Sequence, residues 1–350
     1  MPRCFSSLRR SVSMPVRART RAVLPWSMWP AVPAMIFFIP LLLIVHLRGQ
    51  NQPPQPPKSD TSDITPTFRT GVADVRVDAQ VLQNNKVVEG LKQEDFVATD
   101  QGVEQKVNYF GHDTEPVSLL LLLDISGSMT RWIPRISETA RESLGYLSPG
   151  DKVAIMVFGK RAEIHQDFSD NLAESARQIS TVVRDHDVGA GTLINLAVIE
   201  AARYMQKNAP QQGRRAILIL TDNLSISVMT PDTAVIRALD EADTVLNAIV
   251  VGRAIRPSPP KPGQYRNTDF TPADVFRLAE ETGGEAVKAD HPETSFSEII
   301  DRIRRRYSLS YRAPEAPSGS FRHIGVMLSE GARKRYPLAE VKARRGYYVR

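Results

Sequence analysis

Leu119-Leu120-Leu121-Leu122-Leu123-Asp124-Ile125-Ser126-Gly127-Ser128-Met129 is the stretch from which the fold can be read. Five leucines in a row have no polar face, the pattern of a strand covered on both sides in a parallel sheet. The run stops at an aspartate, then places hydroxyls at alternate positions around a glycine that lets the backbone turn tightly. Ligands of open α/β sheets bind just outside the carboxyl ends of the strands, where this loop falls. Asp124, Ser126 and Ser128 offer oxygen alone, a donor set that suits magnesium, manganese or calcium and not zinc or copper.

Two later stretches carry matching pieces. Gly189-Ala190-Gly191-Thr192 brings a threonine in a Gly-rich loop, and Ala216-Ile217-Leu218-Ile219-Leu220-Thr221-Asp222 is a second apolar strand ending in aspartate. Asp-x-Ser-x-Ser, then threonine, then aspartate, in this order, resembles the metal-ion-dependent adhesion site (MIDAS) of von Willebrand factor type A (VWFA) domains. That resemblance implies Asp124, Ser126, Ser128, Thr192 and Asp222 as metal residues, with Mg2+ (or Mn2+/Ca2+) as the cofactor. It also implies an open coordination position filled by an Asp or Glu carboxylate of a protein partner. Where relatives have Asp-Gly, this chain has Asp222-Asn223, and asparagine tolerates the left-handed backbone glycine would supply. Asn195, in the first turn of the following helix, stands where many relatives have aspartate.

Working outward from 116 to 306, strand and helix patterns alternate, which demands an α/β fold with a doubly wound, mostly parallel sheet flanked by helices. Ile133, Ile136, Ala140, Leu144 and Leu147 fall at helical spacing, and 152–159 reads as the next strand. Residues 168–183 read as helical, and 193–207 as another helix. Strands are expected at 216–220 and 244–252, with a short last one at 283–287. A Pro-rich loop covers 253–268. Thr271 is expected to cap the next helix, with Pro272 at its first position. His186 sits between two acids but has no further nitrogen or sulfur ligand near it in sequence, so it reads as part of a solvated loop. Arg302, Arg304, Arg305 and Arg306 read as a solvated helix end, the alternative being a face for anionic lipid or a partner's acid.

The flanks read as β. Residues 67–115 alternate with period two around turns at Asn84-Asn85 and Asp100-Gln101-Gly102, and 307–350 returns to short strands. Val88-Glu89-Gly90-Leu91-Lys92-Gln93-Glu94-Asp95-Phe96, the Tyr307-Ser308-Leu309-Ser310-Tyr311 strand and the Arg345-Gly346-Tyr347 finish resemble bacterial VWFA-related proteins, mainly acidobacterial. The arrangement implied is one accessory β unit, built from both flanks, beside the VWFA domain.

Charge separates the ends from the body. The net charge is +6, yet residues 1–48 hold seven arginines and no acid, and residues 300–350 hold thirteen bases against four acids. The 251 residues between them carry 25 bases and 35 acids, so the basic balance does not indicate nucleic-acid binding. Residues 1–25 form a basic lead, expected in the cytoplasm. Residues 26–47 contain no Asp, Glu, Lys or Arg, and as a helix would span roughly 33 Å, enough for a bilayer core. Positive charge before the span predicts an uncleaved signal-anchor with the remainder exported. The competing reading, a cleaved signal peptide, lacks a small-x-small site after the apolar run. Residues 48–66, with Pro53-Pro54-Gln55-Pro56-Pro57, read as an extended spacer. Cys4 is the only cysteine, so no disulfide is formed within the chain.

The function these readings imply is recognition, adhesion or envelope assembly by a membrane-anchored, metal-dependent binding module. The alternatives are a scaffold stapled by metal and a metal-assisted hydrolase. For the last, the loops offer no general base except His186, there is no Gly-x-Ser-x-Gly elbow and no phosphate-binding Gly-Lys-Ser/Thr loop, so an enzyme is not expected.

Overall fold

The computed structural model describes residues 74–112, 115–226, 230–252, 256 and 271–350. All of these fall in one compact unit, Phe68–Arg350. The basic lead, the 26–47 span, the spacer and nearly all of the 253–268 loop lie outside the described residues. Among the described residues no helix is long and apolar enough to cross a membrane.

The first flank contributes β1 (Asp74–Gln83), β2 (Lys86–Val87), β3 (Phe96–Asp100), β4 (Val103–Gln105) and β5 (Val107–His112). Next come β6 (Val117–Asp124), α1 (Ile133–Leu144), β7 (Lys152–Phe158) and β8 (Ala162–Ser169). They are followed by α2 (Leu172–Ile179), α3 (Val182–Asp185), α4 (Ile194–Asn208), β9 (Arg214–Thr221) and β10 (Leu224–Ser225). The α/β part closes with α5 (Asp232–Glu241), β11 (Val245–Val251), β12 (Thr271–Pro272), α6 (Val275–Thr282), β13 (Ala286–Ala289) and α7 (Pro292–Arg304). The second flank supplies β14 (Tyr307–Arg312), β15 (Phe321–Leu328), α8 (Glu330–Arg335), β16 (Ala339–Lys342) and β17 (Gly346–Tyr348).

The central sheet runs β13-β11-β9-β6-β7-β8 and is parallel except for the β7–β8 pair. It is the doubly wound sheet the alternation of elements demands. β6 lies in the interior with all eight residues buried. Period two divides its leucines: Leu119, Leu121 and Leu123 pack with Ile133 and Ile136 of α1 and Ile299 of α7. Leu120 and Leu122 pack on the other face with Val198 of α4, Leu239 of α5 and Leu278 of α6. Each buried leucine contributes about 2 kcal/mol of transfer free energy, so the run anchors both helical layers.

Three local readings need correction. Residues 168–183 are not one helix: Phe168 and Ser169 close the edge strand β8, and two short helices follow. β8 is only half-buried, which leaves it without the apolar run that marks the central strands. Thr271 and Pro272 pair antiparallel with Leu224 and Ser225 and do not start a helix. The cap is Asp274, whose Oδ1 accepts the Arg277 amide at 3.0 Å. Arg302, Arg304 and Arg306 are buried rather than solvated. Arg302 pairs with Glu285 at 2.9 Å and Arg304 with Asp151 at 3.1 Å. Arg306 donates to the carbonyl of Gly283, and burial lowers its pKa to about 10. Of the four, Arg305 alone reaches solvent, half-exposed between Glu89 and Asp301.

Strands from the two flanks interleave. One sheet runs β16-β1-β14-β5 with β2 against β1, and the other runs β17-β15-β3-β4. Val77, Phe96, Tyr307, Leu309, Tyr311 and Leu328 form the core between them.

Candidate metal site at the carboxyl edge of the sheet

Asp124 is the last residue of β6 and is fully buried. Its Oδ1 accepts the Ser126 amide at 3.0 Å, the turn an aspartate makes with its own backbone two residues on. Its Oδ2 accepts the Thr221 hydroxyl at 2.8 Å. Register explains that bond: β6 and β9 pair Leu123 with Leu220, so the next step sets Thr221 beside Asp124. Asp222 follows and repeats the same turn, its Oδ1 accepting the Leu224 amide at 3.1 Å.

Gly127–Met129 forms a single 3-10 turn that lifts Ser126 and Ser128 to the surface, their hydroxyl oxygens 3.2 Å apart. Backbone bonds tie the loops together. The Ile125 amide donates to the Phe158 carbonyl and the Leu193 amide to the Gly159 carbonyl. The Thr192 carbonyl accepts the Ile226 amide at 2.9 Å and the Ser225 hydroxyl at 3.1 Å, which fixes the threonine to the loop after Asp222. Gly191 has φ +97°, a conformation that favours glycine, and a Cβ there would meet Ile226 Cδ1 at 2.2 Å, so that side chain would have to shift. Asn223 adopts φ 60°, the left-handed conformation the sequence anticipates for it.

The donors fit a hard divalent cation. Thr192 is buried, and the bonds that fix its loop run to its backbone carbonyl. Asp124 and Asp222 form no ion pair with a basic side chain among the described residues. Burial, with the charge of Asp222 adding to it, pushes the Asp124 carboxyl up to about 6 against the hydrogen bonds from Ser126 and Thr221. A bound cation would supply the charge that this carboxylate pair lacks.

Thr221 and Ser225, which orient Asp124 and Thr192, carry no motif signal of their own; adjacency to Asp222 is their only sequence cue. Asn195 lies further back: its Nδ2 donates to the Thr230 carbonyl at 2.8 Å and to Asp232 Oδ1 at 3.1 Å. It joins α4 to the start of α5. His186 is not in a solvated loop, because β8 brings His165 against it, 2.9 Å away.

Residues 119–224 match the family model of the von Willebrand factor type A domain. No curated protein matches the chain in sequence. Similar solved structures include BatB of Bacteroides thetaiotaomicron, 18% identical over 53% of this chain and 97% of that one, with a TM-score of 0.41. A von Willebrand factor type A protein of Catenulispora acidiphila is 13% identical over 75% and 73%, with a TM-score of 0.42. Proximal thread matrix protein 1 of the mussel byssus, solved with a zinc-occupied MIDAS motif, is 15% identical over 59% and 50%, with a TM-score of 0.44. The family match falls on the middle of the doubly wound sheet, from β6 to the start of β10, so the von Willebrand factor type A likeness belongs to residues 119–224.

Proposed function

We propose that the protein is a divalent-cation-dependent recognition module, held at a membrane by residues 26–47, which binds an Asp or Glu carboxylate of a partner protein. The observation that carries this reading is the convergence of Asp124, Ser126, Ser128, Thr192 and Asp222 from three tied loops, where no basic side chain among the described residues pairs with either aspartate. Two negative charges and neutral hydroxyls leave a bound Mg2+ or Mn2+ electron-poor, and it attracts one more oxygen anion from outside. Ser126 and Ser128 face the surface, so that position is open to a partner. The anchor rests on 22 residues without a charge behind an arginine-rich lead. We read the site as one for binding and not turnover, because the side chains that meet around Asp124 among the described residues are the hydroxyls and carboxylates of a hard-cation donor set.

The test is a magnesium and manganese titration of the full chain beside Ser126→Ala/Ser128→Ala. The wild type gains thermal stability as metal is added and the double variant does not. With Mn2+ loaded, free acetate or aspartate lowers the water-proton relaxation of the wild type by displacing a bound water. No metal-dependent gain at millimolar metal overturns the site. A gain with unchanged relaxation leaves the metal as a staple only.

A further inference from the structure

His165 on β8 and His186 after α3 face each other at a distance from the oxygen-rich site in sequence and in chemistry. His165 Nδ1 and His186 Nε2 are 2.9 Å apart, with the rings 5.1 Å between centroids and nearly perpendicular. The outer nitrogens settle the protons. Gln178 Nε2 donates to Glu174 Oε1 at 2.6 Å, so it is the Gln178 oxygen that faces His165 Nε2 at 3.0 Å. Thr181 Oγ1, 3.2 Å from the same nitrogen, gives its own proton to the Gln178 carbonyl. Both neighbours accept, so His165 Nε2 carries hydrogen. His186 Nδ1 faces the Glu163 carboxylate at 3.0 Å, and it too carries hydrogen.

In neutral rings, the two inner nitrogens would then both be bare lone pairs pointed at each other at 2.9 Å. That contact is repulsive unless a cation lies between them. We propose that His165 and His186 form a two-imidazole site that holds one cation between its facing nitrogens. The separation matches a shared proton. A borderline divalent ion such as Zn2+, with about 2.0–2.1 Å to each nitrogen, needs the pair opened to about 3.3 Å. In either case each ring is already oriented by an acceptor behind it, as metal-bound imidazoles are.

The charged surroundings are Glu163 on β8, Arg161 at 3.7 Å from Glu163, and the Glu174–Arg177 pair of α2 behind Gln178. The loop is docked on the same hairpin by its backbone: the Arg161 amide donates to the Val188 carbonyl at 3.0 Å, and the Arg161 guanidinium to the Asp187 carbonyl at 2.7 Å. Thr192 follows four residues after Val188.

The experiment labels the full chain with 15N-histidine, only six residues, and assigns the pair with His165→Gln and His186→Gln. In chelator at neutral pH, the expected spectrum shows protonated-type signals for the two outer nitrogens and one shared-proton signal across the inner pair. Zinc then moves only the inner pair if a metal displaces the proton, and moves neither ring if the site keeps its proton. Either result with a shared proton in chelator supports the site and assigns its occupant. His186→Gln places an amide that can donate to His165 Nδ1, so it keeps its thermal stability and its magnesium response while losing the shared signal. Two neutral rings without a shared proton and without a zinc response overturn the proposal. So does a zinc response retained in His186→Gln.

Discussion

Asp124 holds its negative charge in a fully buried position next to a second carboxylate, so its titration links the site to stability. Its carboxyl is raised from near 3.8 to about 6 in the fold, chiefly by burial. Between those values the folded state keeps the proton and the unfolded chain has released it. The resulting stability is fully present below about 4 and is lost as pH rises through about 6, a change of about 3 kcal/mol. In chelator, urea midpoints should fall across that window. With metal present the slope should flatten, because the cation favours the charged form. Asp124→Asn should abolish the slope and the metal response together; a slope that survives would place the titration elsewhere. Gly191→Ala tests the neighbouring loop. It forces a side chain into φ +97° and onto Ile226, whose amide holds Thr192. A cost of about 1–3 kcal/mol in stability and a weakening of metal binding of about tenfold or more are expected by titration calorimetry. The proposed metal residues could be picked out of the sequence because Asp124, Ser126 and Ser128 alternate within one short loop and Thr192 and Asp222 end recognisable segments. Thr221 and Ser225 were not, since their roles depend on register between β6 and β9. The His165–His186 contact joins residues 21 apart, and half of it lies on a strand the sequence hid.

At the scale of elements, strands buried on both faces were the readable ones. β6, β7, β9 and β11 are continuous apolar runs, and both helical layers follow from the period-two split of the leucines. β8 escaped because an edge strand half in solvent carries Glu163, His165, Gln166 and Asp167 without a clean alternation. The arginines at the end of α7 misled for a different reason. Composition made them look solvated, while tertiary pairing buries them. Arg214 donates to the carbonyls of Ile303, Arg304 and Arg306, satisfying groups a helix end leaves without partners. Arg304 faces Asp151, whose side chain is fully buried and also accepts the Val117 and Ser148 amides, each at 2.7 Å. Arg304→Ala leaves that carboxylate without its cation, and a loss of about 3 kcal/mol is expected in urea unfolding. Arg305→Ala, at a half-exposed pair, should cost no more than about 1 kcal/mol. Equal losses at the two positions would show that burial is not what distinguishes them.

Across the whole compact unit, the chain leaves the β sheets at His112, builds the α/β domain, and returns to the same sheets at Tyr307. β1 and β14 are hydrogen-bonded neighbours, and Tyr307, Leu309 and Tyr311 fill the core that the first flank opens. Buried polar contacts reinforce that core: Tyr311 and Tyr347 both donate to Asp100, at 3.0 and 2.9 Å, and Arg322 pairs with it. Other contacts cross to the α/β domain. Arg76 donates to the Gly213 carbonyl at 2.7 Å and pairs with Glu115, and Arg344 pairs with Asp240 at 3.1 Å. Neither part has a complete set of partners without the other, so the two should unfold together. Trp132 reports the α/β domain once Trp26 and Trp29 are replaced by phenylalanine, and the buried tyrosines report the β sheets through near-ultraviolet dichroism. Coincident transitions by both probes are expected. Truncation after Arg306 strips β1 of β14 and exposes Val75, Val77 and Phe96, so that chain should aggregate or lose its cooperative transition. If instead the truncated chain melted cooperatively with the Trp132 signal unchanged, the α/β domain would be self-sufficient, and the buried arginines at its border would be serving attachment rather than folding.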